Sequence, residues 1–441
     1  MTTSFLPYHP DQRFLLPPSP RDWLAEDHLA YFVSDTVDSL DLSAFYERYE
    51  GDGRRNQPFD PRMMVKILLY GYATGVFSSR KIARKLQEDV AFRVLAAGNE
   101  PAHRTIAEFR QRHLGEFESL FVQVVQMARE LGLIKLGTIA VDGSKVKANA
   151  SRHKAMSYGR MLAEEKRLKR EIRAILERAN KTDVREDSQF GPDFRGDELP
   201  EELARRESRL EKIQAARKRL EARQEEEDRA AGRRKDDDDK PGKVGPKFKR
   251  PFGRPTDKAQ ENFTDPDSRV MKDSKGFEQS YNAQLAVDEE AHLIVAAGVT
   301  QQANDKGELQ RMVHEVESNT GKLPDQVLAD AGYRSEENLR ALEAQGIDGY
   351  VALGRAKGDA GKLLGDELEA TRRMARKLKT KRGRGQYRKR KWIAEPVFGW
   401  VKSCLGFRSF SFRGYDKVAG EWSLVSLAVN VRRLSGMVAW A

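Results

Sequence analysis

Thr138-Ile139-Ala140-Val141-Asp142-Gly143-Ser144-Lys145-Val146-Lys147 is the stretch on which the fold turns. A short β-type run, Thr138 to Val141, delivers an acid, Asp142, and then a glycine that stops the run. The pattern recurs at Val327-Leu328-Ala329-Asp330. A third acid, Glu395, lies far downstream in Trp392-Ile393-Ala394-Glu395-Pro396-Val397-Phe398-Gly399-Trp400. Two carboxylates at strand ends and one from a late helical segment form a set that can hold hard divalent cations. A rigid sheet fixes the direction of strand-end acids, which suits a site of converging oxygens. Any one of these acids taken alone reads as a solvated loop carboxylate. The three in this order are what point to a site.

Between and after the two aspartates the pattern is α/β. Ser280 to Val287 and Leu293 to Val299 read as a hairpin closed by Asp288-Glu289-Glu290-Ala291. A helix is expected from about Asp305 to Glu317. Pro324 precedes the strand that ends at Asp330, Ser335 caps a helix through Glu343, and Gly349 to Leu353 reads as a further strand. Strand with Asp, hairpin, helix, strand with Asp, helix, strand is the connectivity of a ribonuclease-H-like core. Residues 156–228 interrupt it. Two narrow apolar stripes there (Leu162, Leu168, Ile172, Ile175, Leu176, then Leu203, Leu210, Ile213, Leu220) predict an antiparallel helical hairpin with its turn across 186–200. Residues 229–265, with an acidic block at Asp236–Asp239 and a basic one at Lys247–Arg254, read as flexible linker.

Residues 1–135 read as helical after a Pro-rich opening at Leu16–Pro20. Met63 to Tyr70 is an apolar core helix. Ser78 to Leu86 and Arg104 to His113 each start near a Ser or Thr suited to capping, with Ile and Leu or Phe at spacings of three or four and Arg and Lys elsewhere. Gly98 and Pro101 break the chain between them. A helix-turn-helix-like unit fits, with Arg80, Lys81, Arg84, Arg104 and Arg110 as candidate DNA contacts. A plain helical bundle with a solvated basic surface fits the same pattern.

Bulk composition narrows the classes. The chain has 441 residues and a formal net charge of +11, with a pI near 9.4. At ~150 residues per domain, about three domains are expected. No apolar run approaches the ~18 residues of a membrane span. Met1-Thr2-Thr3-Ser4-Phe5 lacks the layout of a signal peptide. Cys404 is the sole cysteine, which excludes an internal disulfide and a cysteine-rich zinc site. A cytoplasmic setting is expected. The charge is clustered: between Arg372 and Lys391, 12 of 20 residues are Lys or Arg and none is acidic. Such a run repels itself if left unpaired, and its place directly before Glu395 suggests a phosphate-rich partner. Lys402, seven positions beyond Glu395, falls about 20° from it on a continuous helix. Pro396 permits another setting, with Glu395 as N-cap and Pro396 at the first helical position.

These residues together resemble the DDE transposases of bacterial insertion sequences. The resemblance spans most of the chain. It rests on Val141 to Ser151, on Thr264-Asp265-Pro266-Asp267-Ser268-Arg269, on Ala329-Asp330-Ala331-Gly332-Tyr333-Arg334-Ser335 and on Arg390 to Gly399. It implies an α/β fold: a ribonuclease-H-like catalytic domain (136–155 and 266–441) interrupted by the helical hairpin and linker (156–265) and preceded by an all-α DNA-binding domain (1–135). It implies that Asp142, Asp330 and Glu395 are catalytic and bind Mg²⁺, with Mn²⁺ as a substitute. It implies cleavage and strand transfer on double-stranded DNA, at terminal inverted repeats and target, by a homodimer in a synaptic complex. The family signature around the glutamate is Tyr, two residues, Arg, three residues, Glu, six residues, Lys. Glu395 and Lys402 keep the last spacing. Counting back, the Arg position falls on Lys391 and the Tyr position on Arg388, with Tyr387 and Arg390 each one residue early. Tyr387, Arg390, Lys391 and Lys402 are therefore the candidate phosphate contacts of this segment. Two other readings stand beside this one: a metal-dependent nuclease without strand transfer, and a non-catalytic DNA-binding protein from a decayed element.

Overall fold

The computed structural model describes residues 20–49, 58–190, 201–238, 248–273, 276–354 and 368–438. The expected opening at 16–19, the tip of the hairpin turn at 191–200 and the linker centre at 239–247 lie outside the described residues.

Seven helices come first: α1 (Leu29–Ser39), α2 (Ser43–Glu47), α3 (Pro61–Ala73), α4 (Ser79–Glu88), α5 (Val90–Leu95), α6 (His103–Arg112) and α7 (Leu114–Glu130). Asp60 caps α3 by accepting from Arg62 N, with Pro61 at the first helical position, where its missing N–H costs nothing. The two basic helices are α4 and α6, but they are not consecutive. Asp89 ends α4 and caps α5, which lies between them.

β1 (Thr138–Lys147) then opens a mixed sheet. After β2 (Ala155–Ser157) come α8 (Tyr158–Phe190) and α9 (Glu201–Ala230), packed on each other through Met161, Leu168, Ile213, Ala216 and Leu220. β3 (Gln260–Asn262) pairs with β2. β4 (Arg269–Asp273), β5 (Gly276–Asp288) and β6 (Ile294–Thr300) precede α10 (Glu308–Thr320). β7 (Gln326–Ala329), α11 (Glu336–Ala344), β8 (Asp348–Val351), α12 (Glu369–Lys379), α13 (Lys381–Gly399) and α14 (Tyr415–Val438) complete the order. β5 runs antiparallel to β1 and also pairs with β4 and β6, while β7 and β8 are parallel to β1 in the order β5-β1-β7-β8. Three antiparallel strands followed by two parallel ones reached through helical crossovers match the expected ribonuclease-H-like sheet.

Four expectations change. Asp142 does not end its strand, since β1 runs on to Lys147 against β5. The stretch expected as linker is pinned where it is described: Arg250 donates to both oxygens of Asp228 (2.9 and 2.6 Å), and the buried Arg233 pairs with Asp238. Its charges neutralise one another locally. Part of the 372–391 run is neutralised as well, because Lys377 pairs with Asp348, Arg373 with Glu343 and Lys389 with Glu289.

The fourth concerns the N-terminal helices and Arg110. Their core is continuous with that of the sheet, because α14 packs on α1, α3 and α7 on one side and on β6 on the other. Arg110, expected at a DNA-facing surface, is buried. Its guanidinium donates to Tyr72 Oη (2.9 Å) and Phe77 O (2.6 Å), and Tyr72 in turn donates to Glu421 Oε1 of α14 (3.2 Å). Glu421 is fully buried, and its other oxygen accepts from Ser411 N. Burial raises its pKa while Arg110 opposes the rise. Arg110→Leu leaves that carboxylate without its cation. We expect a loss of about 3–5 kcal/mol, read as a lower thermal midpoint, with the salt dependence of DNA binding unchanged.

Candidate active site

The site begins in the register of two parallel strands. β1 and β7 pair as Ile139↔Val327, Ala140↔Leu328 and Val141↔Ala329. The next residue on each strand is an aspartate, so Asp142 and Asp330 leave the ladder side by side. Beneath them, Ile139 to Val141 and Val327 to Ala329 are fully buried. Each carboxylate accepts from a backbone N–H just beyond it, Asp142 from Gly143 (3.0 Å) and Asp330 from Gly332 (2.7 Å). Those bonds fix where the acids point.

Glu395 reaches this pair from α13, which packs across β1, β5, β7 and β8. The helix is continuous through Pro396, so Glu395 is an interior residue and not an N-cap. The residue before a proline is normally pushed out of helix, and a proline leaves the carbonyl four residues back without its N–H. That carbonyl is Trp392 O, and His292 Nε2, from the β5–β6 turn, donates to it at 3.0 Å. Buried neighbours Ile393, Ala394, Val397 and Phe398 hold the remaining turns. A π-helical turn at Trp400–Cys404 follows.

One cation ties α13 to β1. Arg390, with 12% of its side chain exposed, lies 3.3 Å from Asp142 Oδ2 and donates to Glu395 Oε1 at 2.9 Å. Expected to face DNA, it faces the acids instead. Lys402 also turns inward, donating to Ser144 Oγ (2.6 Å) and Lys145 O (2.7 Å), and thereby fastens the segment after Glu395 to β1. Tyr387 is half-buried against the core. Lys391, Arg80, Lys81, Arg84 and Arg104 are exposed. The structure thus separates the expected contacts into five at the surface, one on the acids (Arg390), one fastened to β1 (Lys402), one packed (Tyr387) and one buried (Arg110).

Burial pushes Asp142 up to about 6; Arg390 opposes the rise and the neighbouring Asp330 adds to it. The set is all carboxylate oxygen, the chemistry of a hard divalent cation. Among the described residues no three His, Cys, Asp or Glu side chains converge on one point. The Arg390 guanidinium is what lies between Asp142 and Glu395. Asp305 and Lys145, which the sequence did not mark, also border the site: Lys145 Nζ is 3.9 Å from Asp305 Oδ1, and Asp142 and Asp330 act on the same ammonium. The signal for Lys145 was its alternation with Gly143 on β1. Asp305 had none, being a loop acid in a polar stretch.

Two family models match this chain. The transposase DDE domain covers residues 252–431, including Asp330 and Glu395, and a transposase domain of the DUF772 type covers residues 18–112. Both matches support a DDE-type insertion-sequence transposase. No curated protein and no solved structure matches it. A DDE transposase is a nucleotidyl-transfer enzyme that binds DNA, and its catalytic domain is of the ribonuclease-H type. The sheet order of this transposase agrees with that. The Thr264–Arg269 motif serves its scaffold: Asp265 is buried and accepts from Tyr281 Oη (2.9 Å) and Gly414 N (3.1 Å). In this transposase no helix of the described residues is long and apolar enough to cross a membrane.

A raised folded-state pKa means that Asp142 takes up a proton on folding between about pH 4 and 6. Its charge therefore costs stability above pH 6. Asp142→Asn is expected to stabilise the metal-free protein by about 1–3 kcal/mol at pH 8, with the gain fading as pH falls from 6 to 4. Thermal midpoints in chelator across that range check both the sign and the window.

Proposed function

We propose that this transposase cleaves DNA at the ends of its mobile element and transfers the freed strand to target DNA, using Asp142, Asp330 and Glu395. The observation that carries the reading is the β1–β7 register that puts Asp142 beside Asp330, with Arg390 of α13 contacting both Asp142 and Glu395. The three acids would hold Mg²⁺, or Mn²⁺ in its place. When bound, such ions supply Lewis-acid stabilisation of phosphate charge and a more acidic water.

The chemistry is an exchange of phosphodiester bonds. In the first step a water oxygen bonds to phosphorus, the 3′-oxygen leaves with a proton, and a 5′-phosphate remains. In the second, that 3′-hydroxyl attacks a target phosphodiester and its 3′-oxygen departs. Neither step requires a covalent bond to the protein. The residues' own contribution is placement. Gly143 N and Gly332 N fix the aspartates, Arg390 bridges Glu395 and Asp142, and Lys402 keeps the end of α13 on β1.

In this reading residues 1–135 find the terminal repeats, 136–155 with 266–441 form the catalytic core, and 156–265 are an insertion in it. Two protomers hold the two ends, in the cytoplasm of a bacterial host. Arg80, Lys81, Arg84, Arg104 and Lys391 meet phosphates.

The test is cleavage of a duplex carrying an element end, with Mg²⁺ and without. Wild type is expected to cut and join. Asp142→Asn and Glu395→Gln should each lose about 10²–10³-fold or more in rate while still binding the duplex. Cutting without joined product would favour a nuclease, and equal cutting by all three proteins would reject the site. A second check is salt dependence: alanine at each surface cation should lower the slope of log affinity against log salt by about one.

A further inference from the structure

Asp305 sits five residues after β6 and two before the glycine that opens α10, with 17% of its side chain exposed. Its Oδ1 accepts from Asn282 Nδ2 at 2.6 Å and from Gln284 Nε2 at 2.8 Å. Both donors belong to fully buried residues of β5, and in the β1–β5 register they lie opposite Lys145 and Gly143. Gln284 is itself held, because its Oε1 accepts from Tyr333 Oη, and Tyr333 follows directly on Gly332. A polar chain therefore runs from the loop after Asp330, through Gln284 of β5, to Asp305. Tyr333, Gln284 and Asn282 are fully buried, so water cannot stand in for any one of them without loss.

The other oxygen, Oδ2, faces the acids. A Cβ added to Gly332 would stand 2.9 Å from Asp305 Oδ2 and 2.9 Å from Asp330 Oδ1. The two oxygens thus lie within 5.8 Å of each other, twice that distance, on either side of a residue with no side chain. A Cβ added to Gly143 would stand 2.8 Å from Asp305 Oδ1. Both glycines beside the catalytic aspartates are places where Asp305 crowds the backbone. Lys145 Nζ, 3.9 Å away, balances only part of the charge.

We propose that Asp305 is a fourth acid of this site: a positioning residue, held by Asn282 and Gln284, whose charge beside Asp330 strengthens divalent-cation uptake by the Asp142–Asp330 pair. The inference rests on the proposed function above. A carboxylate near the ligands raises the negative potential of the site without being a ligand. It also orients Lys145, which would otherwise turn its ammonium on Asp330 and compete with the cation.

Asp305→Asn separates charge from scaffold. Its carbonyl oxygen can still accept from Asn282 and Gln284, while its amide takes the Oδ2 position without the charge. The experiment is Mn²⁺ titration of the full-length protein, with free Mn²⁺ followed by electron paramagnetic resonance, beside thermal midpoints in chelator. Asp305→Asn is expected to weaken Mn²⁺ binding about tenfold to a hundredfold with a midpoint within about 3 °C of wild type. Asp305→Ala, which also orphans both amides, should lower the midpoint as well. Asp142→Asn is the control and should bind Mn²⁺ least. Wild-type affinity in Asp305→Asn with binding lost in Asp142→Asn would reduce Asp305 to a scaffold residue and overturn the proposal. Wild-type affinity in Asp142→Asn would overturn the site reading, and the role of Asp305 with it.

Discussion

The parallel pairing of β1 with β7, ending at Val141↔Ala329, is the constraint on which the rest of the site depends. It sets two carboxylates at neighbouring positions of one sheet edge. Like charges in a partly buried place oppose each other, and the upward shift of Asp142 to about 6 records that cost, with burial as its larger cause. The surrounding structure tolerates the cost because the strands beneath the acids are fully buried and cannot slip. A one-residue slip would turn every side chain of a strand to the opposite face. Apolar packing at Ile139, Ala140, Val141, Val327, Leu328 and Ala329 therefore dictates where the charge must sit.

The third acid depends on a different kind of support. A helix that carries a proline one residue after Glu395 lacks a hydrogen bond where the acid needs to be steady. His292 supplies a donor for the freed carbonyl, Arg390 spans from Glu395 to Asp142, and Lys402 anchors the following turn to β1. Three basic residues from two segments thus do for Glu395 what backbone pairing does for the aspartates. The consequence for binding is that two of the cations nearest the acids face inward. Of the expected cations, Arg80, Lys81, Arg84, Arg104 and Lys391 are the ones left at the surface.

Much of this was legible in the chain. Apolar runs ending in Asp mark strands whose acids share an edge, because β-pattern and burial are local properties. The order of strands and helices followed from the same signals. Four things were not legible, each for a physical reason. Asp142 stands mid-strand because antiparallel pairing with β5 carries β1 onward, a contact with residues more than a hundred positions away. Arg110 carries the charge of a surface residue, yet it lies four positions after Ile106, on the face buried with Phe109. Its partner Glu421 is distant in sequence, so the charge read as exposed. Arg390 presented the same ambiguity, and only the closeness of α13 to β1 resolves it. The helix-breaking reading of Pro396 failed because His292, from a hairpin turn, replaces the missing donor.

The proposed function requires Asp142, Asp330 and Glu395 to share one cation when it binds, although no backbone pairing joins the third acid to the other two and Arg390 lies between Asp142 and Glu395 without it. Iron-directed cleavage of the polypeptide tests this most directly. Fe²⁺ bound in place of Mg²⁺, with ascorbate and peroxide, generates hydroxyl radicals that cut the backbone near the ion. Cuts beside Asp142, Asp330 and Glu395 together, all suppressed by excess Mg²⁺, are the expected result. Cuts beside the two aspartates with none beside Glu395 would contradict it.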